Sequence, residues 1–223
     1  MRIGVISGKG GTGKTTIAVS FAELENNSIR IDADVDASNM YLYYDGNDIN
    51  KEYFSGNDLA LVDKDLCIKC GKCTEVCKFD AINMGDVNPM KCEGCGACAL
   101  VCPTDAINFV EQKTADIYTT EISNGKIFRA DMEIGGDGSG LLVSRIRKKA
   151  EEYEEDKITI VDGSPGIGCS VIASITNNDW VLIVTEPTKS GLEDFIRVHQ
   201  LTEHFKITSL VCINIYDINE DIT

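Results

Sequence analysis

Positive charge is what this sequence has too little of. Its 21 lysines and arginines face 36 aspartates and glutamates, for a formal net charge of −15. Sequence-independent nucleic-acid binding depends on many Lys and Arg contacts to phosphate, so this balance argues against it. It is equally wrong for an anionic membrane surface, though compatible with soluble partners carrying a basic docking face. Long apolar runs are also missing, and none approaches the length of a bilayer span. Met1 leads straight into strand-like Arg2-Ile3-Gly4-Val5-Ile6-Ser7, leaving no room for an export signal. We therefore expect a cytoplasmic protein with reduced thiols, and no disulfide framework. The remainder is ordinary for a globular chain of 223 residues, 43% hydrophobic and 26% charged. That length suits one sizeable α/β domain, or a smaller one with an inserted module.

Cysteine is present in quantity. Eight of the ten lie in two runs of identical spacing, C-I-K-C-G-K-C-T-E-V-C from Cys67 and C-E-G-C-G-A-C-A-L-V-C-P from Cys92. Asp80-Ala81-Ile82-Asn83 follows the first run and Asp105-Ala106-Ile107-Asn108 the second at the same offset, which marks an internal duplication. Three thiolates close together with a fourth further on suit a cubane iron–sulfur cluster. A four-coordinate zinc site would not need the third cysteine two residues on. Residues 61–110 resemble the bacterial-type two-cluster ferredoxins, in which the fourth cysteine of a run ligates the other cluster. The resemblance implies that Cys67, Cys70, Cys73 and Cys102 hold one [4Fe-4S] cluster, and Cys92, Cys95, Cys98 and Cys77 the other.

The N-terminal strand feeds Gly8-Lys9-Gly10-Gly11-Thr12-Gly13-Lys14-Thr15-Thr16, a complete G-x-x-x-x-G-K-[ST] phosphate loop. Its glycines let backbone N–H groups cradle phosphate oxygens, Lys14 reaches the β- and γ-phosphates, and the Thr15 hydroxyl serves Mg²⁺. A helix over residues 15–25 adds its N-terminal dipole. A second strand, residues 29–31, ends in Asp32, Asp34 and Asp36, carboxylates that are costly beside a phosphate loop unless Mg²⁺ or water uses them. Residues 40–60 lose periodicity and read as a loop with one helical turn. Beyond the ferredoxin-like stretch, the Asn124-Gly125 step between alternating runs predicts a hairpin. Leu142, Ile146 and Ala150 recur at helical spacing over residues 141–155. A buried strand at 158–161 ends in Asp162-Gly163-Ser164-Pro165-Gly166-Ile167-Gly168, where Asp162 suits the Mg²⁺ shell and Gly166 can offer its N–H to a γ-phosphate. Strands at 181–184 and 210–214 flank a helix at 191–205. Cys169 and Cys212 read as small core residues.

Lys9 beside the phosphate loop, the D-x-x-P-G stretch and the closing Val211-Cys212-Ile213-Asn214 together resemble the MinD/ParA group of ATPases. That group has a deviant Walker A motif and includes nitrogenase iron protein and the Mrp-type iron–sulfur carriers. The resemblance extends to members carrying an inserted ferredoxin domain and covers essentially the whole chain. It implies a P-loop α/β fold, mostly parallel sheet with helices on both faces, over residues 1–60 and 112–223. The α+β ferredoxin-like module would occupy residues 61–111. It implies an ATP-bound homodimer in which Lys9 reaches the partner's nucleotide, an attacking water positioned by Asp34 with Asp36 in reserve, and Asn214 at the adenine edge. Asp32 would support the loop. ATP or ADP, Mg²⁺ and two [4Fe-4S] clusters are the expected cofactors. The expected output is electron transfer to a redox partner. Alternatives are a metallocofactor-assembly carrier with a client protein, and a switch ATPase whose clusters are structural or redox-sensing. The family's last strand, helix and tail are not seen before Asp221-Ile222-Thr223, so a truncated C-terminus is expected.

Overall fold

The computed structural model describes residues 1–136 and 138–219, so the chain end at Asp221-Ile222-Thr223 lies outside the described residues. In chain order the elements are β1 (Arg2–Ser7), α1 (Lys14–Ala22), β2 (Ser28–Asp32), a 3₁₀ turn (Met40–Tyr43), β3 (Gly46–Phe54) and β4 (Asp58–Val62). Next come α2 (Lys72–Val76), β5 (Ile82–Asn83), β6 (Asp86–Val87), α3 (Ala97–Leu100) and β7 (Ile107–Glu111). The chain then forms β8 (Ala115–Ile122), β9 (Gly125–Met132), α4 (Ser139–Glu151), β10 (Thr159–Pro165) and α5 (Cys169–Ile175). It finishes with β11 (Trp180–Thr185), α6 (Lys189–His204), β12 (Ser209–Ile213) and a 3₁₀ turn (Tyr216–Ile218).

Two compact units result. The first comprises Met1–Glu52, Ala115–Met132 and Ser139–Thr223, and the second Tyr53–Thr114 with Glu133–Gly138. The expected division at residues 61 and 111 differs because β4 pairs antiparallel with β7, Asp58 against Glu111, which draws residues before 61 into the second unit. The aperiodic stretch 40–60, expected as a loop, holds a 3₁₀ turn and two strands. β3 is an exposed edge strand with polar residues on both faces, so it lacks the alternation that marks a half-buried strand.

The first unit is built on an eight-stranded sheet, ordered β12-β11-β1-β10-β2-β9-β8-β3. From β12 to β9 each neighbouring pair runs parallel, and β8 returns antiparallel along β9. Strand residues alternate between two cores. Val5, Ile160 and Val184 pack with Ala18 and Ala22 of α1, while Ile6, Val181 and Ile183 pack with Val171 and Ile175 of α5 and Val198 of α6. Helices therefore cover both faces, and the carboxyl ends of β1, β2 and β10 share one edge, where ligands bind in open α/β sheets. α1 stops earlier than expected, at Ala22, with Asn27 in the left-handed region before β2. α4 buries Leu142, Ile146 and Ala150, the residues whose spacing predicted it.

The second unit repeats one plan twice. Gly71 precedes α2 at φ 81° and Gly96 precedes α3 at φ 80°. Its core contains Ala60, Val62, Cys73, Ile82 and Ile107, and five further cysteines pack around them.

Candidate functional site

The loop after β1 turns at Gly11 and Gly13, both at positive φ, and enters α1 at Lys14. Beside Gly10 and Gly11 an added Cβ would meet open space, so the loop has room against its backbone N–H groups. Gly8 instead lies tight against Asp194 of α6. Thr12 is buried and its hydroxyl has no hydrogen-bond partner. Thr15 is half-buried and Thr16 exposed.

Lys14 is buried, with Nζ 2.6 Å from Asp162 Oδ1 and 3.9 Å from Asp34 Oδ2. β10 lies between β1 and β2, which sets Asp162 opposite Asp32 in register. Asp162 is fully buried, and its Oδ2 has no partner. A buried carboxylate oxygen without a donor is costly, and a bound cation would satisfy this one.

Asp32 organises the loop behind it. Its Oδ2 accepts from Ser38 Oγ at 2.9 Å, Asn39 N at 2.9 Å and Met40 N at 3.0 Å, and its Oδ1 from Asp34 N at 3.2 Å. Burial, and then the neighbouring Asp162, push its pKa up to about 6. Burial also raises Asp34, against the pull of Lys14. Asp36 is exposed.

Three further groups assigned to nucleotide contacts are held by the chain itself. Lys9 Nζ donates to Glu186 Oε1 at 2.6 Å and Ser190 Oγ at 3.1 Å. The Gly166 N–H donates to the Ser7 carbonyl at 2.9 Å. Asn214 Nδ2 donates to the Thr12 carbonyl at 2.9 Å, and its Oδ1 accepts from Ile215 N. The structure thus ties Asn214 to the phosphate loop. Sequence reasoning missed Glu186, Ser190 and the Ser7 carbonyl. The Thr185-Glu186-Pro187-Thr188 run just before α6 was the available signal for Glu186, with Thr188 capping that helix through the Gly191 N–H.

In the second unit two small pockets of similar size are each lined by four of the eight cysteines. Cys67, Cys70, Cys73 and Cys102 line one, and Cys77, Cys92, Cys95 and Cys98 the other. Each set takes three cysteines from one run and the fourth from the other. Four thiols spread around an apolar cavity suit a cluster, where each binds a different iron, better than one ion needing four ligands at one point. Among the described residues no three His, Cys, Asp or Glu side chains gather as around a single ion. Backbone N–H groups turn to the outlying sulfurs, Ala81 N to Cys77 Sγ and Ala106 N to Cys102 Sγ, each at 3.3 Å. Burial opposes ionisation of Cys77, but the N–H groups of Ala81, Phe79 and Ile82 hold its pKa below the usual thiol value. The N–H groups of Thr104 and Ala106 do the same for Cys102. Burial raises Cys98.

The two remaining cysteines lie elsewhere. Cys212 is half-buried against the α1-side core. Cys169 is exposed at the start of α5, which corrects its expected place in the core. It is the first residue of a helix entered from the Gly166-Ile167-Gly168 turn, before the helix's apolar face begins at Val171.

The 4Fe-4S dicluster domain family matches residues 60–109. Two proteins of Methanocaldococcus jannaschii are similar over nearly the whole chain. Uncharacterized protein MJ0578 is 39% identical over 223 residues, covering 96% of this chain and 78% of its own length. Uncharacterized protein MJ0579 is 28% identical over 232 residues, covering 99% and 82%. Among solved structures, the septum site-determining protein MinD complexed with Mg-ADP from Pyrococcus horikoshii aligns with a TM-score of 0.55. It is 19% identical, over 98% of this chain and 72% of that one. A ParA family ATPase from Chlorobium tepidum aligns at 0.53, with 16% identity over 100% of this chain and 77% of that one. At such identities the likeness establishes the fold. Fold and site together define a P-loop protein with the fold of the MinD and ParA structures, interrupted by a stretch that matches the 4Fe-4S dicluster domain family. Within that class, the chain belongs to the family of uncharacterized protein MJ0578 of Methanocaldococcus jannaschii.

Proposed function

We propose that this protein binds and hydrolyses ATP with Mg²⁺ and couples its nucleotide state to one-electron transfer through two [4Fe-4S] clusters. The carrying observation is the site around Lys14. Its Nζ is held by Asp162, and Asp162 keeps a second, partnerless oxygen for a cation. Lys9 and the Gly166 N–H are likewise held by acceptors that a nucleotide could replace, Glu186 and the Ser7 carbonyl. On γ-phosphate binding, the Gly166 N–H exchanges Ser7 for phosphate oxygen. Lys9 leaves Glu186 to complete the site of a second copy, giving an ATP-bound homodimer. Asp34, 3.9 Å from Lys14, orients the attacking water.

Coupling has a covalent route. β8 begins, and β9 ends, where the chain joins the dicluster unit. The clusters supply low-potential one-electron chemistry when bound, and the two cysteine sets hold them. A redox protein or a metallocofactor-assembly client is the partner, in the cytoplasm, where thiols stay reduced. No helix among the described residues is long and apolar enough to cross a membrane.

The test is anaerobic reconstitution with iron and sulfide, followed by electron transfer to a low-potential acceptor with and without MgATP. Acceleration by MgATP, lost in Lys9→Ala together with dimerisation, is the expected result. Iron and sulfide moving to an apo-protein, with no acceleration, would replace this reading by the assembly role.

A further inference from the structure

The duplication inside the second unit provides its own comparison. Residues of one run correspond to those 25 positions on, Cys67 to Cys92 and Cys77 to Cys102. The backbones agree: Lys69 and Gly94 have φ of 53° and 59°, and Asp80 and Asp105 have 51° and 50°. The thiols match, but what surrounds them does not. Lys69 and Lys72 line the first cavity, whereas their counterparts in the second are Gly94 and Ala97. Ile68 of the first corresponds to Glu93 of the second. Lys78, next to Cys77, lines neither. Because each fourth cysteine crosses over, Thr104 lines the first cavity and its counterpart Phe79 the second. Thr104 Oγ1 lies 3.8 Å from Cys102 Sγ. A side chain at Gly94 would collide with the Asp58 carbonyl, which keeps a lysine out of that position.

We propose that the two sites are electrochemically unequal, the site of Cys67, Cys70, Cys73 and Cys102 taking an electron ahead of the site of Cys92, Cys95, Cys98 and Cys77. Reduction adds negative charge, so nearby cations favour it and nearby anions oppose it. Hydrogen bonds to the sulfurs act in the same direction as cations. Two lysines and a hydroxyl favour the first site, and Glu93 disfavours the second. In the singly reduced protein the second cluster gives up one electron and the first gains it, without a proton. A one-electron donor reaching the second site therefore delivers its electron onward to the first, which becomes the exit toward an acceptor.

This inference rests on the dicluster reading of the cysteines and is independent of ATP coupling. The experiment is a dithionite titration of the anaerobically reconstituted full chain, followed by EPR. Two one-electron waves are expected, with at least tenfold preference for one site, equivalent to about 59 mV. Lys69→Gln with Lys72→Gln should lower the upper wave at least threefold and leave the lower one in place. Both lysines are exposed, so the fold is not at stake. Glu93→Gln should raise the lower wave alone, and added salt should narrow the gap as exposed charges are screened. Coincident waves, or a lysine variant that moves the lower wave, would overturn the proposal. Iron incorporation without any cluster signal would instead overturn the dicluster reading on which it rests.

Discussion

Asp32 is the residue whose environment makes the sharpest demand. It is fully buried, it faces Asp162 in register, and its pKa is pushed up to about 6. Between about pH 4 and 6 the folded chain holds a proton that the unfolded chain has released. Its stability contribution is therefore complete below the ordinary value of 3.8 and falls as pH rises through 6. At about 1.4 kcal/mol per pKa unit, the loss is at most about 3 kcal/mol. Denaturant unfolding without Mg²⁺ should show this decline, and Asp32→Asn should flatten it. An unchanged slope would remove Asp32 as the cause. Asn214 poses a second question at this scale, because its amide donates to the Thr12 carbonyl. A hydrogen bond of this kind contributes roughly 1 kcal/mol, so Asn214→Ala should weaken nucleotide binding about threefold to tenfold. If the residue supports the loop, inorganic triphosphate should weaken as much as ATP; if it reads adenine, triphosphate binding should not change. Motif spacing made Lys14 and Asp162 legible, since their chemistry is fixed by type and neighbours. The partners of Lys9 and Asn214 were not, because Glu186 lies 177 residues from Lys9 and Thr12 lies 202 from Asn214. Only the fold brings them together.

Among the elements, the β8–β9 hairpin was read from Asn124-Gly125, and the reason for that glycine is tertiary as well as local. Gly125 has φ 148°, and a Cβ there would run into the Ser28 carbonyl of β2, its parallel neighbour across the sheet. Gly125→Ala should therefore destabilise the first unit by roughly 2 kcal/mol or more, combining backbone strain with the clash. Chemical denaturation of the variant checks this, and a change under 0.5 kcal/mol would show that the turn relaxes freely. The hairpin also carries a link that no sequence period exposes. The Arg129 guanidinium on β9 sits between the rings of Tyr41 and Tyr118, 4.2 Å from each centroid, and Tyr41 belongs to the 3₁₀ turn that Asp32 anchors through Met40. Elements with regular apolar spacing, such as α4, were legible. β3 was not, since an exposed edge strand takes its pairing from a neighbour on the far side of the dicluster unit in sequence.

For the molecule as a whole, the two units should differ in what keeps them folded. The first has two apolar cores, one on each face of an eight-stranded sheet. The second has a small core in which cysteines are the main neighbours of a few apolar side chains, and its helices α2 and α3 are short, five and four residues. Isolated helices of that length do not persist in water, and so small a unit rarely supplies enough hydrophobic burial by itself. Its thiols also carry competing demands. Backbone N–H groups favour ionised Cys77 and Cys102, while burial disfavours ionised Cys98. Bound iron would resolve that conflict by taking the thiolates directly, so cluster binding would add folding energy to this unit. Removing iron with a chelator under reducing conditions should therefore unfold the second unit while the first keeps its sheet. Amide exchange should rise within residues 58–111 and stay slow in β1, β10 and β11. Nucleotide binding should survive the treatment. Retained protection in β4 and β7 after complete iron loss would show that the apolar core suffices and that the cysteines serve redox chemistry alone.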